Sequence, residues 1–417
     1  MSEPIRADVI VAGAGMAGGT AALALASGGL KVALIDALPV ETRLAPAFDG
    51  RASAIAYSSF RMLKAIGVGA RLEPVSCRIE QILVTDGRSP GAASGGTTPF
   101  HLRFAAEEIA ARSEGEPLGY MVENRWIRAS LAEASAGSDI EVLAPARVET
   151  VEADARFARV RLADGRSVEA PLLVGAEGKN SVVREAAGIG VVGWSYGQSG
   201  VVATVKHGEP HGGVAHEYFL PGGPFAILPL TENRASLVWT EPNRRAEALR
   251  GASEAAFEAH LRRRFGDFLG EVWAEAPRFV YPLALQLAEG WTAPRMTLLG
   301  DAAHSIHPIA GQGLNLGLKD AAALAEVVVE AARLGEDIGS LAVLDRYARW
   351  RRFDTFALAA STDVFTRLFS NDNPVVRAAR GLGMSVVNQI GPARRFFMQE
   401  AGGAVGDMPR LLRGEAL

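Results

Sequence analysis

"DVIVAGAGMAGGTAALALASGGLKVALIDA", residues 8–37, is the stretch that decides the fold. It has the pattern of a short β-strand, a glycine-rich turn, a helix rich in alanine and leucine, and a second apolar strand that ends at Asp36. The glycines of the turn have the spacing G-x-G-x-x-G: Gly13, Gly15 and Gly18. A strand, turn and helix in this order bring backbone N–H groups and the positive end of the helix dipole to one place, where a pyrophosphate can bind.

Each residue of this motif has its own physical reason. Gly13 permits the tight turn, Gly15 lets the backbone approach a pyrophosphate, and Gly18 allows the helix to pack closely against the strand. Asp36 is placed to bind the hydroxyls of an adenosine ribose. The glycine spacing alone is a weak signal, because an ordinary glycine-rich turn can match it. The two strands, the helix and the acid together favour a dinucleotide-binding site, without identifying the dinucleotide.

The composition sets the class of protein. A chain of 417 residues is longer than one hydrophobic core usually supports, so we expect two interleaved domains. The net charge of -4 argues against nucleic-acid binding. Cys77 is the single cysteine, which excludes an intramolecular disulfide and suits a reducing cytosol. The uncharged stretch from Val9 to Leu30 is long enough to span a membrane, but its glycines predict a buried strand, turn and helix, and the N-terminal charges predict no signal peptide.

A second stretch, "GDAAHSIHPIAGQGLNLGLKD" at residues 300–320, lies between an apolar strand pattern and a long helix pattern. Asp301, at the end of the strand, can accept a hydrogen bond from a polyol such as the ribityl chain of FAD. A loop with Pro308, Gly311 and Gly313 leads into the helix, and backbone contacts from such a loop can hold the edge of an isoalloxazine ring. The positive end of the helix dipole would stabilise negative charge on a reduced flavin.

These motifs resemble the class A flavoprotein aromatic hydroxylases, and among them the ubiquinone-biosynthesis hydroxylases that act on polyprenylated phenols. The resemblance covers nearly the whole chain and rests on the two stretches above together with "GRASAIAYSS", "GYMVENRWIRASL", "LLVGAEGKNSVVREAAGI", "YGQSGVVATV", "GPFAILPL" and "DMPRLLRGEAL". It implies an α/β fold with a Rossmann-like FAD-binding domain of the p-hydroxybenzoate hydroxylase (PHBH) and glutathione reductase type, an interleaved β-sheet substrate domain and C-terminal helices. We place the FAD-binding domain at 1–75, 105–185 and 277–345, the substrate domain at 76–104 and 186–276, and the C-terminal helical segment at 346–417.

The resemblance also implies which residues bind the cofactor. Arg51 and Arg125 are implied to contact the diphosphate or ribityl region of FAD, and Asp301 the ribityl chain. The loop and the start of the long helix are implied to hold the flavin ring: Pro308, Gly311, Gln312, Gly313, Leu314 and Asn315.

The segment "GAEGKNSVVR" stands where the family usually has Gly-Ala-Asp-Gly, a motif associated with both FAD and NAD(P)H. Glu177 replaces the aspartate, so its carboxylate lies one methylene further out, whereas Gly178 and Arg184 match the family. Arg184 can equally be a solvated charge on a helix. No second G-x-G-x-x-G motif follows a strand, so either NAD(P)H that docks transiently or a partner reductase can supply the electrons.

The segment "HEYFLPGGPFAILPL", residues 216–230, predicts two strands joined by a Pro-Gly-Gly-Pro turn. In the resembled fold such a sheet covers the flavin ring, so we expect Tyr218, Phe225 and Leu228 to line the substrate pocket. The alternative is that these side chains belong to the core of the sheet.

Two further groups of residues have competing interpretations. His304 and His307 stand three residues apart, but no third ligand beyond Asp301 accompanies them, so we predict no metal site. We expect a structural role instead, in which both imidazoles form hydrogen bonds with the loop backbone beside the flavin. The C-terminal apolar positions predict intramolecular packing. A second interpretation is a prenyl-chain exit with two arginines near anionic lipid. Its residues would be Phe365, Leu368, Phe369, Met384, Arg394 and Arg395.

The resemblance implies an FAD-dependent monooxygenase that hydroxylates the aromatic ring of a polyprenylated phenol through a flavin C4a-hydroperoxide, with O2 and a reductant as co-reactants. We expect a cytoplasmic protein, with contact to the inner membrane and membership of a biosynthetic complex as further hypotheses. Two alternatives stay open: a hydroxylase of a small soluble aromatic acid, and a non-catalytic flavoprotein that scaffolds a complex. A flavin halogenase is disfavoured because the chain has no Trp-x-Trp pattern. The sequence does not identify a catalytic base.

Overall fold

The computed structural model describes residues 3–44, 50–86, 101–108, 115–220, 222–306, 311–369 and 407–417, without the side chains of residues 86, 108, 276 and 365–369. His307 and Pro308 lie outside the described residues. So do the side chains of the suggested prenyl exit: Phe365, Leu368, Phe369, Met384, Arg394 and Arg395.

The described chain contains both strands and helices, with several runs of four or five consecutive strands. The strands are β1 (Ile5–Arg6), β2 (Val9–Ala12), β3 (Val32–Ile35), β4 (Ala52–Ala56), β5 (Cys77–Ile79), β6 (Gln81–Asp86), β7 (His101–Ala105), β8 (Gly119–Glu123), β9 (Ile140–Leu143), β10 (Val148–Ala153), β11 (Ala158–Leu162), β12 (Ser167–Ala170), β13 (Leu172–Gly175), β14 (Val191–His207), β15 (Val214–Leu220), β16 (Gly223–Leu230), β17 (Arg234–Pro242), β18 (Val272–Ala288), β19 (Thr292–Ala293), β20 (Met296–Leu298) and β21 (His304–Ser305). The helices are α1 (Met16–Ser27), α2 (Val40–Leu44), α3 (Tyr57–Ala65), α4 (Gly69–Leu72), α5 (Asn124–Ala136), α6 (Val182–Ala186), α7 (Asn243–Gly251), α8 (Glu254–Phe265), α9 (Gln312–Arg333) and α10 (Leu341–Phe369).

A six-stranded sheet with the order β19-β20-β13-β2-β3-β9 forms the centre of the larger core. Its strands from β20 to β9 pair in parallel, and every residue of β2 and β3 is buried. Such continuous apolar runs are typical of a parallel sheet that is covered on both faces. Because parallel strands end at the same edge of a sheet, the turns that follow β2, β3, β13 and β20 meet at that edge.

An eight-stranded sheet with the order β21-β18-β14-β17-β16-β15-β6-β7 forms the second layer. One of its faces packs against α7 and α8 and buries a separate core that includes Phe225, Trp239, Phe257 and Phe265. The opposite face has mostly small and aliphatic side chains, together with Glu217 and Phe219, and it faces the ends of the parallel strands. Alternation along the strands assigns each residue to one face or the other.

Two smaller sheets complete the described fold, with the orders β1-β12-β11-β10 and β4-β8-β5. The predicted α/β fold class is confirmed, whereas the exact domain boundaries stay a prediction. None of the described helices combines the length and the apolar character that crossing a bilayer requires.

Candidate cofactor and substrate site

A cavity of about 1070 Å³ lies between the edge of the six-stranded sheet and the apolar face of the eight-stranded sheet. At one end its wall includes Gly13, Gly15 and Asp36, and further along it includes Asp301 and the first residues of α9. Residues of β14 to β18 and of β6 form the remaining wall. The cavity therefore connects the two glycine-rich stretches with the sheet that the sequence assigned to the substrate.

The glycines of the first turn leave room where a diphosphate would lie. Gly13 has a φ of 99°, and a Cβ on this residue would stand 2.5 Å from the carbonyl oxygen of Ala176. A Cβ on Gly18 would stand 1.9 Å from the carbonyl oxygen of Gly13, so only glycine lets α1 approach the turn. A Cβ on Gly15, by contrast, would meet nothing within 4 Å. The open space lies at the N-terminus of α1, where the helix dipole favours an anion, and the turn therefore fits a diphosphate.

Asp36 lies directly after β3, in the cavity wall. One carboxylate oxygen accepts a hydrogen bond from the backbone N–H of Ala14 at 2.6 Å, and the other accepts one from Leu38 at 2.8 Å. These bonds fix the carboxylate beside the glycine turn. Each oxygen retains a further lone pair, so a ribose hydroxyl can still donate to it.

The second glycine-rich stretch meets the cavity from the other side. Asp301 lines the cavity, and burial raises the pKa of its carboxyl while the charges of His304 and Lys179 oppose the rise. Gly311 has a φ of 65° and directly precedes α9, and no side chain caps this end of the helix among the described residues. The first N–H groups of a helix of 22 residues therefore face the cavity.

These features fit a flavin dinucleotide. The FAD binding domain family matches residues 6–357 of this chain. The chain belongs to this family. The predicted cofactor, FAD, is therefore confirmed for this FAD-binding domain, whereas the individual contacts to it stay predictions.

Relatives cover nearly the whole chain. The ubiquinone hydroxylase UbiL of Rhodospirillum rubrum is 46% identical over 415 residues, which span 99% of this chain and 94% of the relative. The 3-demethoxyubiquinol 3-hydroxylase of Escherichia coli is 34% identical over 396 residues, which span 94% of this chain and 98% of the relative. The predicted relationship to the ubiquinone-biosynthesis hydroxylases is confirmed, and so is the predicted activity class, an FAD-dependent monooxygenase.

A solved structure supports the fold. The p-nitrophenol 4-monooxygenase PnpA of Pseudomonas putida superposes with a TM-score of 0.77 at 20% identity, over 96% of this chain and 98% of that one. At this identity the likeness concerns the architecture alone, and it agrees with the predicted PHBH-like arrangement of an FAD-binding domain and an interleaved sheet.

The two arginines predicted at the FAD have different surroundings. Arg51 lines the cavity, with its guanidinium carbon 5.4 Å from the ring centre of Tyr281. Arg125 is half-buried outside the described cavity lining, forms an ion pair with Glu123 at 2.6 Å and stacks on Trp126 at 4.8 Å. Arg51 could therefore contact a cofactor in the cavity directly. Arg125 lies outside the described lining, so its side chain would have to move to reach the cofactor.

The residues of the predicted NAD(P)H and FAD motif have different surroundings in the structure. Glu177 and Gly178 line the cavity, but the Glu177 carboxylate accepts hydrogen bonds from the Ser181 hydroxyl at 2.7 Å and from the Val183 N–H at 3.1 Å. It thus caps the start of α6. Burial raises the pKa of Glu177, although these hydrogen bonds and the charge of Arg184 act in the opposite direction.

For Arg184, the interpretation as a solvated helix charge is wrong, because the side chain is buried. The side chain is buried and lies outside the described cavity lining, and it donates to the carbonyl oxygens of Ala302 at 3.1 Å and Lys179 at 2.7 Å. A buried guanidinium requires such acceptors, because an unpaired charge is costly away from water. Arg184 therefore holds the Asp301 turn against the Gly178 loop, and its contact to a nucleotide stays a prediction.

The residues at the start of α9 divide into two groups. Gly311, Gln312, Gly313 and Leu314 line the cavity, and a Cβ on Gly313 would meet nothing within 4 Å. The Asn315 side chain is largely used within the protein: its oxygen accepts from the Ala56 N–H at 2.8 Å, and its amide donates to the Ala54 carbonyl at 2.8 Å. Asn315 thus joins α9 to β4 and positions the helix start.

His304 has a structural role, as predicted, but with a different partner. Its Nε2 lies 2.5 Å from Asp320, which also accepts a bond from Arg351 at 3.1 Å, and all three side chains are buried. Burial opposes ionisation of Asp320, but His304, Arg351 and the Gly300 N–H outweigh it and lower the pKa of that carboxyl. The predicted bond was to loop backbone, whereas the observed one ties the Asp301 turn to α9.

Of the three predicted substrate residues, Leu228 lines the cavity, but Tyr218 and Phe225 do not belong to its described lining. Tyr218 and Phe225 are buried in the core beneath α7 and α8, as the alternative interpretation has it. They pair directly across β15 and β16, so both point away from the cavity. Their neighbours Glu217, Phe219, Pro224 and Ala226 form the wall instead.

Proposed function

We propose that the protein is an FAD-dependent monooxygenase that hydroxylates the aromatic ring of a polyprenylated phenol in ubiquinone biosynthesis. The observation that carries the proposal is the single cavity that joins the dinucleotide turn at Gly13 to an apolar sheet wall. The names of the relatives, a ubiquinone hydroxylase and a demethoxyubiquinol hydroxylase, support this choice of substrate class.

The chain's own residues bind and orient the cofactor in this proposal. Gly13 and Gly15 receive the diphosphate, Asp36 the adenosine ribose, and Asp301 the ribityl chain. The N-terminus of α9, from Gly311 onward, faces the flavin ring and stabilises negative charge on it. When bound and reduced by NAD(P)H or a partner reductase, FAD supplies the activation of O2 for transfer of one oxygen atom to the ring.

The sheet wall holds the substrate and excludes water. Val84, Val202, Ala226, Leu228 and Val238 line the cavity with apolar side chains. Burial of an aromatic ring against these side chains favours binding by about 25 cal/mol for each Å² of apolar area that is removed from water. Exclusion of water also favours transfer of the oxygen atom to the ring, because release of hydrogen peroxide is the competing reaction.

The lipid character of such a substrate sets where the enzyme would work. We propose a cytoplasmic protein that contacts the inner membrane peripherally to collect a polyprenylated phenol, within a biosynthetic complex. Sedimentation with liposomes of anionic and of neutral lipid at low salt tests the membrane contact. Recovery in the unbound fraction with both lipids would contradict it.

The activity is tested with purified protein that is loaded with FAD and supplied with O2 and a reductant. We expect a prenylated phenol to yield a product heavier by one oxygen atom, and a small soluble acid such as 4-hydroxybenzoate to react far more slowly. Faster hydroxylation of the small acid would replace the proposed substrate. FAD reduction and reoxidation without any hydroxylated product would favour a scaffold protein.

A further inference from the structure

Glu217 is a carboxylic acid in the middle of the apolar sheet wall. It lies on β15, directly opposite Val84 of β6 and Ala226 of β16. The same row continues through Val238 and Val202, and all five residues line the cavity. Among the described cavity-lining residues of this sheet, Glu217 is the only one with a carboxylate, and none is a lysine or an arginine.

The Glu217 carboxyl forms no hydrogen bond or ion pair with any described residue, as the contacts of the described chain show. Glu217 is half-buried, because its side chain faces the cavity. A carboxyl held in an apolar wall without a partner is costly, and an apolar side chain of similar size would be more stable at this position. A group that is kept at such a cost is a candidate for binding or chemistry.

Burial alone raises the pKa of Glu217 to about 8. No described charge acts on it strongly. Of the other titratable groups in this part of the wall, His216 has its pKa lowered to about 4 by burial, and Tyr281 lies near Arg51. The charged groups across the cavity belong to the cofactor side: Asp36, Arg51, Arg147, Glu177, Lys179 and Asp301.

We propose that Glu217 binds the phenolic hydroxyl of the substrate and accepts its proton during hydroxylation. This inference rests on the proposed function, because a phenol must enter the cavity. It also supplies the catalytic base that the sequence did not identify. Among the described cavity-lining side chains of this sheet, only Glu217 has a carboxylate that can take up a proton.

The proton moves from the phenol to Glu217 and later returns to the substrate. The phenol O–H bond breaks, its proton goes to a Glu217 oxygen, and the electron pair stays on the phenol oxygen, which makes the ring more electron-rich. The ring then attacks the oxygen atom that the FAD reaction supplies from O2 and the reductant. The ring carbon that gained oxygen afterwards releases its hydrogen to water as a proton, and Glu217 returns its own proton to the ring oxygen.

Two substitutions separate binding from proton acceptance. Glu217→Gln keeps a hydrogen-bonding group of the same shape but removes the base, so we expect kcat to fall about 100-fold or more with little change in KM. Glu217→Leu removes both, so KM should rise as well. Glu275→Gln is the matched control, since it makes the same change on the same sheet, outside the described cavity lining.

The pH profile gives a readout that a structural role would not move. In the wild-type protein, kcat/KM for the prenylated phenol should rise with pH up to about 8, as Glu217 ionises. The rise should be absent in Glu217→Gln and present in Glu275→Gln. Retained FAD and unchanged flavin absorbance in all three variants would show that the cavity is intact.

The outcomes distinguish the two proposals. If the wild-type protein hydroxylates the prenylated phenol but Glu217→Gln has the same kcat and the same pH profile, the role of Glu217 is wrong and the proposed function stands. If the wild-type protein converts no phenol, the proposed function is wrong. Binding of the same phenol, followed by calorimetry between pH 6 and pH 9, then tests Glu217 independently, and an affinity that is equal in wild type and Glu217→Leu would contradict its role.

Discussion

The Asn315 side chain accepts a hydrogen bond from the backbone N–H of Ala56 at 2.8 Å, across 259 positions of the chain. The same side chain donates to Ala54, so the start of α9 is fixed to β4 by both ends of one amide. This pairing positions the helix terminus at the cavity. It links a residue that the family resemblance assigned to the flavin with a strand whose neighbour, Arg51, lines the same cavity.

Replacement of Asn315 should therefore weaken both the fold and the cofactor site. Asn315→Leu leaves the Ala56 N–H without its acceptor, which costs about 1–3 kcal/mol of unfolding free energy. FAD affinity should fall with it. Denaturant unfolding and FAD titration measure the two effects, and Asn243→Leu, which loses one part-buried side-chain bond from Ser199 outside the described cavity lining, is the control. Equal stability of both variants would contradict the role of Asn315.

Asp301→Ala should lose most of its FAD. Loss of a charged hydrogen-bond acceptor costs about 1.5–3 kcal/mol, which is about a 10- to 100-fold decrease in affinity. Flavin absorbance after gel filtration and titration of the apoprotein measure this loss. An Asp301→Ala protein as yellow as the wild type would remove Asp301 from the site.

Substitutions on the two faces of the eight-stranded sheet should affect different properties, stability on one face and substrate binding on the other. Phe225→Ala opens a cavity in the core beneath α7 and α8 and should cost about 3–5 kcal/mol of unfolding free energy. Val238→Phe instead fills the substrate end of the cavity, so KM for the phenol should rise while FAD affinity stays constant. Thermal unfolding and steady-state kinetics check the pair. A Phe225→Ala variant with normal stability and altered KM would restore the original pocket prediction.

Glu217 should make stability depend on pH. Its pKa in the folded protein is about 8, above the ordinary value of 4.5, so the folded state binds more protons than the unfolded state between these pH values. Stability should therefore fall as pH rises from about 4.5 to about 8, by at most about 1.4 kcal/mol per pH unit from this group. Chemical unfolding of wild type and Glu217→Gln across this range measures the difference, which should grow toward high pH. A constant difference would show that the carboxyl is not buried in solution.

The strand, turn and helix at residues 8–37 could be predicted because three signals agree: the apolar runs, the glycine spacing and the terminal acid. Asp36 follows from them, and its carboxylate lies beside the glycine turn. Its contact to a ribose stays a prediction. The wall residues on β15 and β16 could not be assigned in the same way. Alternation shows that Tyr218 and Phe219 face opposite sides, but both faces of this sheet are apolar, so the sequence does not say which face lies beneath α7 and α8.

Arg184 and Glu217 show why the remaining site residues could not be predicted from the sequence. Arg184 is buried because a carbonyl oxygen 118 positions away, that of Ala302, lies within its reach, and no local pattern predicts such a partner. Glu217 carried a visible signal, a lone acid among β-branched and aromatic residues, but its meaning depends on the cavity that three distant segments form.

A crystal structure of the protein with FAD is the most direct test of the central claim, that one cavity holds the whole dinucleotide. We expect the adenosine ribose at Asp36, the diphosphate over Gly15 and the flavin ring at the first turn of α9, with the Glu217 carboxyl facing the space beside the ring. A flavin bound outside this cavity, or a ring turned away from α9, would contradict the account.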